Sequence, residues 1–316
     1  MRQAGFLRDA AIAATVLAVL LAVPVVLPSK AILDFGIRGA AMALFATSLN
    51  LLVGYTGLVS FGHGMFYGLG TYAFALLMQR TAFSLPLAFL ATLGITALTA
   101  AAVGAICIRL RTIYFAFVTL AMQMLLYSVI ISWVDLTGGD QGMMGGIPRR
   151  VVGRVDFGDH ATLYAASCIA LMLGMLLMRH IVASPFGASL RMIRDNEPRA
   201  AFLGITVWRM KLSIFVLSSV FAATGGVIVS LYLSGAYPTQ VNWPISGDAI
   251  FAIMLGGINS FLGPVVGTVI LQLLNDLVTR QTEYHGLVLG AIILLFAVGL
   301  RRGVMDFNWR ARGRGA

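Results

Sequence analysis

"GAAMALFATSLNLLVGYTGLVSFGHGMFYGLGTYAFALLMQ", residues 39–79, contains no Asp, Glu, Lys or Arg. An α-helix rises about 1.5 Å per residue, so about 20 apolar residues cross a hydrocarbon core of about 30 Å. The stretch is long enough for two crossings, and the glycines around residues 54–62 place a turn between them. The rest of the chain has the same character: 59% of its 316 residues are hydrophobic and 11% are charged. A soluble domain carries about 25% charged residues, so most of this chain is solvated by lipid. The predicted fold is all-α: a polytopic membrane bundle of about eight to ten transmembrane or re-entrant helices, forming a single transmembrane domain over 1–316.

Further spans fit residues 10–27, 85–107, 113–134, 162–178, 212–234, 263–279 and 286–300, with a short half-helix near 247–257. Arg2 and Arg8 before the first run invite a signal-peptide reading, but no small-x-small cleavage site follows and a retained helix is favoured. Orientation follows from charge asymmetry, because cytoplasmic loops are enriched in Lys and Arg. The island 179–211 has six basic and two acidic residues, and the tail 301–316 has five arginines and one aspartate. The loop 135–161 has three arginines and four aspartates. Both termini, 108–112 and 179–211 are therefore expected in the cytoplasm, and 135–161 in the periplasm. The half-helix 247–257 is expected to enter and return without crossing fully, and a reporter at residue 260 is expected not to be periplasmic. The net charge of +10 fits this bias better than nucleic-acid binding, since no separate basic domain exists.

Several chemistries lack their residues. Ion-coupled transporters place ionisable groups inside the bundle, yet no Asp or Glu occurs between Asp34 and Asp135. Asp248 and Asp276 fall near predicted span ends, where solvation is the simpler reading. A P-loop needs lysine after glycine, and the only lysines, Lys30 and Lys211, stand in no such setting. No hydrolase elbow or His-Glu-x-x-His occurs, so no catalytic residues are assigned and the chain is not expected to be an enzyme. Cys107 and Cys168 lie in apolar runs, and His63, His160, His180 and His285 are scattered, so no metal site is expected.

What remains is glycine and uncharged polar groups. Gly64 and Gly68 form G-x-x-x-G, a close-packing motif, but Gly54 to Gly62 is too interrupted for a helix. Broken helices survive at depth only when buried in protein or lining a cavity. "GLVSF" at 57–61 is echoed by "GINSF" at 257–261, which raises an internal repeat as an expectation, and interrupted segments in corresponding positions mark transport paths. The path candidates are Asn50, Gly54, Tyr55, Gly57, Ser60, Phe61, His63, Gln123, Gly256, Gly257 and Asn259. His63 is either a helix-end residue or a gating contact. Asn50, Gln123 and Asn259 either join helices or face a polar solute.

The charged island has helical grain. In "SPFGASLRMIRDNEPRAAFLGI", residues 184–205, Ser184-Pro185 opens a helix, and Phe186, Leu190 and Ile193 share one side. Asp195 or Asn196 caps a second short helix with Pro198 in its first turn. The small residues Ala200, Ala201 and Gly204 suit close contact with a partner.

Together with "WRMKLSIFVLSSVFAATGG", "LNLLVGYTGLVSFGHGMFYGLGTYAFALL", "LRTIYFAFVTLAMQMLLY", "TGGDQGMMGGIP" and "LGGINSFLGP", this stretch resembles the permease subunits of branched-chain amino acid ABC importers, the LivM type. The resemblance runs over about residues 35–303. It implies an ABC importer permease fold, a second permease subunit of the LivH type, two cytoplasmic ABC ATPases of the LivG/LivF type and a periplasmic substrate-binding protein. It also implies that ATP is used by those partners, with no cofactor on this chain, and that the protein sits in the bacterial inner membrane. The cytoplasmic loop of the family contacts the ATPase, which carries that role to Gly187, Arg191, Arg194, Asp195, Asn196, Glu197, Arg199, Ala200 and Gly204. The general loop pattern, Glu-Ala-Ala then Gly after three residues, is degenerate: Pro198, Arg199 and Ala200 precede Gly204. Branched-chain or other hydrophobic amino acids are the expected cargo, with urea, short amides and aromatic acids as alternatives. An ion-coupled transporter or channel is the rival of another class.

Overall fold

The computed structural model describes residues 14–23, 29–110, 112–148, 150–153, 155–281, 286–288, 290–291, 294 and 303–306. Nearly all of these are helical. Helix α1 covers Ala14–Val23. The central helix α2, Lys30–Thr56, stops where Gly57 takes a φ of +76°, a left-handed turn that glycine enters without a Cβ penalty. A non-helical link leads to α3 (Gly64–Arg80), and α4 (Leu85–Cys107) and α5 (Thr112–Ser132) follow. The one-turn α6 (Val134–Thr137) opens a loop whose strands β1 (Val151–Val152) and β2 (Val155–Asp156) pair antiparallel. Next come α7 (His160–Ala183), the surface helices α8 (Pro185–Asp195) and α9 (Glu197–Phe202), and α10 (Val207–Leu233). A broken segment then leads to α11 (Pro244–Gly256) and α12 (Gly263–Gln281).

Five of these helices, α2, α4, α5, α7 and α10, are long and apolar enough to cross a membrane. Lipid tails are as apolar as leucine, so helices in a bilayer associate through close backbone approach rather than hydrophobic burial. The contacts follow that rule. A Cβ on Gly225 would meet the carbonyl of Ala41, and one on Gly226 or Gly70 would strike the backbone of Tyr67 or Ala223. Gly256 lies on Gly263, and Gly267 on the backbone of Ala252. The outer helices α4 and α5 present Leu90, Leu98, Ile113 and Phe117 outward, the apolar surface lipid requires.

The bundle has two ends. At one, here the hairpin end, His160 meets Asp34 at 3.1 Å and Gln79 donates to the Gly146 carbonyl. At the other, the α8 end, Arg194 reaches both Gly54 and Asn259. Helices α2 and α10 run antiparallel, with Ala41 beside Gly225 and the Ser48 carbonyl accepting from Ser218. Both have 27 residues, and both close on a left-handed residue, Gly57 or Ser234 (φ +59°). Each is followed by a link without α-helix to a short helix, α3 or α11. These two short helices begin side by side inside the bundle, where the Gly64 N–H donates to Ser246 Oγ at 2.8 Å. From there α3 runs to the hairpin end and α11 to the α8 end, which is an inverted repeat.

Three sequence expectations are corrected by this arrangement. The short helix near 247–257 does not enter and return. Ala236 bridges Met143 at the hairpin end, and Gly257 lies beside Asp306 at the α8 end, so 234–256 traverses the bundle as an irregular half, with one 3-10 turn at Pro238–Gln240, and an α-helical half. Ser260 therefore stands at the α8 end. The echo of 57–61 and 257–261 is not the repeat: these segments lie against one another at one end, whereas the inverted repeat pairs 57–63 with 234–243. Finally, α2 starts at Lys30 rather than Gly39 and α10 at Val207 rather than 212, which draws Asp34, Arg38 and Lys211 into helices. The tail 301–316, apart from 303–306, and most of the expected last span 286–300 lie outside the described residues.

Candidate functional site

The island 184–205 folds as two short helices, as its sequence predicts. Ser184 Oγ accepts from the Gly187 N–H and Pro185 sits in the first turn of α8. Asn196, not Asp195, caps α9, its Oδ1 accepting from the Arg199 N–H at 2.9 Å. Gly187 is obligatory, since a Cβ there would run into the Val182 backbone. Leu190 and Ile193 are buried, and Phe186 packs against the core. Ala200 is 1% exposed, so it anchors α9 on this chain rather than facing a partner. What faces outward is Asp195, Asn196, Glu197, Arg199, Ala201 and Gly204, with the apolar tip Phe202 93% exposed. Gly204 holds a φ of +84° with open space around it.

Cations tie this surface down. Arg191 donates to the Val182 carbonyl at 3.1 Å, and Lys211 Nζ meets Glu197 Oε2 at 2.7 Å. Arg194 does more: one guanidinium nitrogen bonds the Gly54 carbonyl in the last turn of α2, and another bonds Asn259 Oδ1 at 3.1 Å. A planar guanidinium with five donors suits such a bridge, which an ammonium would not reproduce. The Asn259 N–H in turn donates to Asp306 at 2.9 Å. A Cβ on Gly54 would sit 2.6 Å from the Ile258 carbonyl, and one on Gly57 would sit 3.4 Å from Arg194 Cγ. Gly54, Gly57, Gly257 and Asn259 are thus gathered around Arg194, with Gly256 packed on Gly263 just inside and Tyr55 half-buried beside them.

The remaining path candidates sit deeper. His63 is fully buried, stacked on Phe45 with centroids 5.8 Å apart, its Nε2 3.0 Å from Ser218 Oγ and 3.4 Å from Ser48 Oγ. Ser60 is buried and Phe61 exposed. Asn50 is buried with neither side-chain atom hydrogen-bonded among the described residues. Gln123, by contrast, is fully committed between elements. Its Nε2 donates to the carbonyls of Val241 and Asn242 at 2.8 and 3.0 Å, and its Oε1 accepts from Ser246 at 2.8 Å. Through Ser246 it also reaches Gly64, so one amide fixes the meeting point of the two short helices.

A cavity of about 680 Å³ opens between α2, α10, α11 and α12, and none of the path candidates lines it. Its walls include Met42, Val229, Ile245, Phe251 and Leu271, with Arg38 on α2 and Asp248 on α11. Sequence reasoning missed both charges. Arg38 fell one residue outside the expected span, and Asp248 was read as a solvated helix end. An Arg and an Asp within apolar runs are themselves the signal that finds such sites.

The model of the family described as branched-chain amino acid transport system / permease component matches residues 31–297. The permease protein LivM of the high-affinity branched-chain amino acid transport system of Escherichia coli K12 is 25% identical, over 89% of this chain and 71% of its own. The LivH permease of the same organism is also 25% identical, over 84% and 92%. The ribose import permease RbsC of Haemophilus influenzae is 27% identical over 45% of this chain and 50% of its own. No solved structure matches. These relatives are transport permeases rather than enzymes, and with the apolar helices they make the chain a multi-pass membrane protein. The chain belongs to the branched-chain amino acid transport system / permease component family, as a permease of the LivM/LivH type.

Proposed function

We propose that the chain is one of two permease subunits of an ABC importer in the bacterial inner membrane, carrying branched-chain or related hydrophobic amino acids. A LivH-type subunit completes the membrane path, separate ATPases supply the energy, and a binding protein delivers cargo on the opposite side. In this reading the α8 end is cytoplasmic, consistent with the basic island 179–211, and the exposed face of α8 and α9 receives the ATPase.

The observation that carries the reading is the Arg194 bridge. It joins the surface helix α8 to the end of α2, in the first half of the inverted repeat, and to the turn after α11, in the second half. A movement of α8 is thereby passed to both halves of the bundle at once. Arg194→Ala removes both bonds. In the purified complex with its ATPases and binding protein, substrate-stimulated ATP hydrolysis is expected to fall about tenfold, with assembly and basal hydrolysis kept. Arg194→Lys, which cannot span both acceptors, is expected to behave the same way. Normal stimulation in both variants would remove the bridge from the mechanism.

A further inference from the structure

We propose that the cavity between α2 and α11 is a binding site for the zwitterion of an apolar α-amino acid, with Arg38 holding the carboxylate and Asp248 the ammonium. This rests on the importer reading above and adds the contacts by which this subunit would recognise its cargo.

The argument starts from cost. Ionisable groups within a membrane bundle are expensive and face a partner, a water-filled cavity or a substrate. Asp248 is exposed in the cavity wall and has no hydrogen-bond or ion-pair partner among the described residues, although it is the fifth residue of a helix that starts inside the bundle. Arg38 is held only loosely, with Asp276 at 3.4 Å and both side chains partly exposed, 45% and 31%. Among the described residues, four of its five donors carry no bond and remain for a ligand.

Register fixes the depth of each charge along α12. Helices α11 and α12 pack antiparallel with Gly256 on Gly263 and Ala252 on Gly267, which sets Asp248 opposite residue 271, another wall residue. Further along α12, Arg38 faces Asp276, and a Cβ on Gly39 would meet Gln272 at 3.1 Å. At 1.5 Å per residue, the charges are offset by roughly 7 Å along α12, a gap that an arginine side chain and a bound amino acid can close. Met42, Ile245 and Phe251 supply apolar wall between them, and the volume of about 680 Å³ falls within the usual range for small-ligand sites. A sugar is uncharged and would leave both charges unmatched, so the walls distinguish an amino acid from the cargo named for the ribose permease relative.

The test measures binding of radiolabelled leucine to the purified full chain in lipid nanodiscs, with leucinamide, 4-methylpentanoate and ribose as competitors. The wild type is expected to bind leucine at least about tenfold more tightly than either analogue, the usual worth of a charge-assisted hydrogen bond, and not to bind ribose. Asp248→Asn is expected to weaken leucine about tenfold while leaving 4-methylpentanoate unchanged. Arg38→Gln is expected to weaken leucine and leave leucinamide unchanged, with Asp248→Glu and Arg38→Lys partly restoring affinity. No binding by the wild type, unchanged leucine affinity, or equal weakening of every ligand overturns the site. Uptake by the complete importer separates the two claims. Leucine uptake unaffected by the variants overturns the site alone, whereas ribose uptake without leucine uptake overturns the importer reading with it.

Discussion

Gln123 and Asn50 are both buried amides in apolar helices, yet they differ in what they hold. Gln123 makes three hydrogen bonds across the break before α11, while Asn50 makes none among the described residues. Interhelical hydrogen bonds in membranes are worth only about 0.6 kcal/mol on average, but orphaning buried carbonyls costs about 1–3 kcal/mol each. Gln123→Leu is therefore expected to cost about 2 kcal/mol or more, read as a lower midpoint of thermal unfolding in detergent. Asn50→Leu is expected to be neutral. Equal losses would show that the bonds at Gln123 are not what secures the meeting point. Sequence placed both residues at depth but left their roles open, because a bond's partner is set by packing that no local spacing encodes. The same limit hid Asp248: its residue type was visible, and its depth depended on where α11 begins.

At the scale of elements, the legible features were those with local causes. The glycine turn within 54–62, the cap at Ser184 and the buried side of α8 follow from turn chemistry and 3.6-residue spacing, and the sequence reading found them; the α9 cap it left open between Asp195 and Asn196. Outward-facing Ala200 was an error of the same kind of reasoning: small residues suit any close contact, and here the contact is internal. The encounter of α11 and α12 has tertiary causes. Gly267 lies against the Ala252 backbone, leaving no room for a side chain, whereas Gly94 in α4 has nothing within 4 Å of an added Cβ. Gly267→Val is expected to abolish folded protein as judged by monodisperse elution in detergent. Gly94→Ala is expected to raise stability by about 0.5–1 kcal/mol, the helix-propensity gain. Tolerance of both would mean that these helices are not held by backbone contact.

For the whole molecule, composition and span length already dictated a polytopic helical bundle, and the parity of the crossings did not follow from them. A thirteen-residue helix is too short to cross alone, so the sequence reading folded it back. The structure completes the crossing with an irregular half, and the inverted partner of that half, 57–63, shares no obvious sequence with it. Two short helices meet inside the bundle, each leading to an opposite end, an inverted symmetry found in many transporter folds. The bridge at Arg194 ties the end of α2 and the turn after α11 to one surface helix. In the proposed importer the energy comes from separate ATPases. The most direct test is leucine uptake into proteoliposomes that contain this chain alone or with its partner permease, ATPases and binding protein. The account predicts uptake only in the complete complex and only with ATP. Gradient-driven uptake by the chain alone would contradict it.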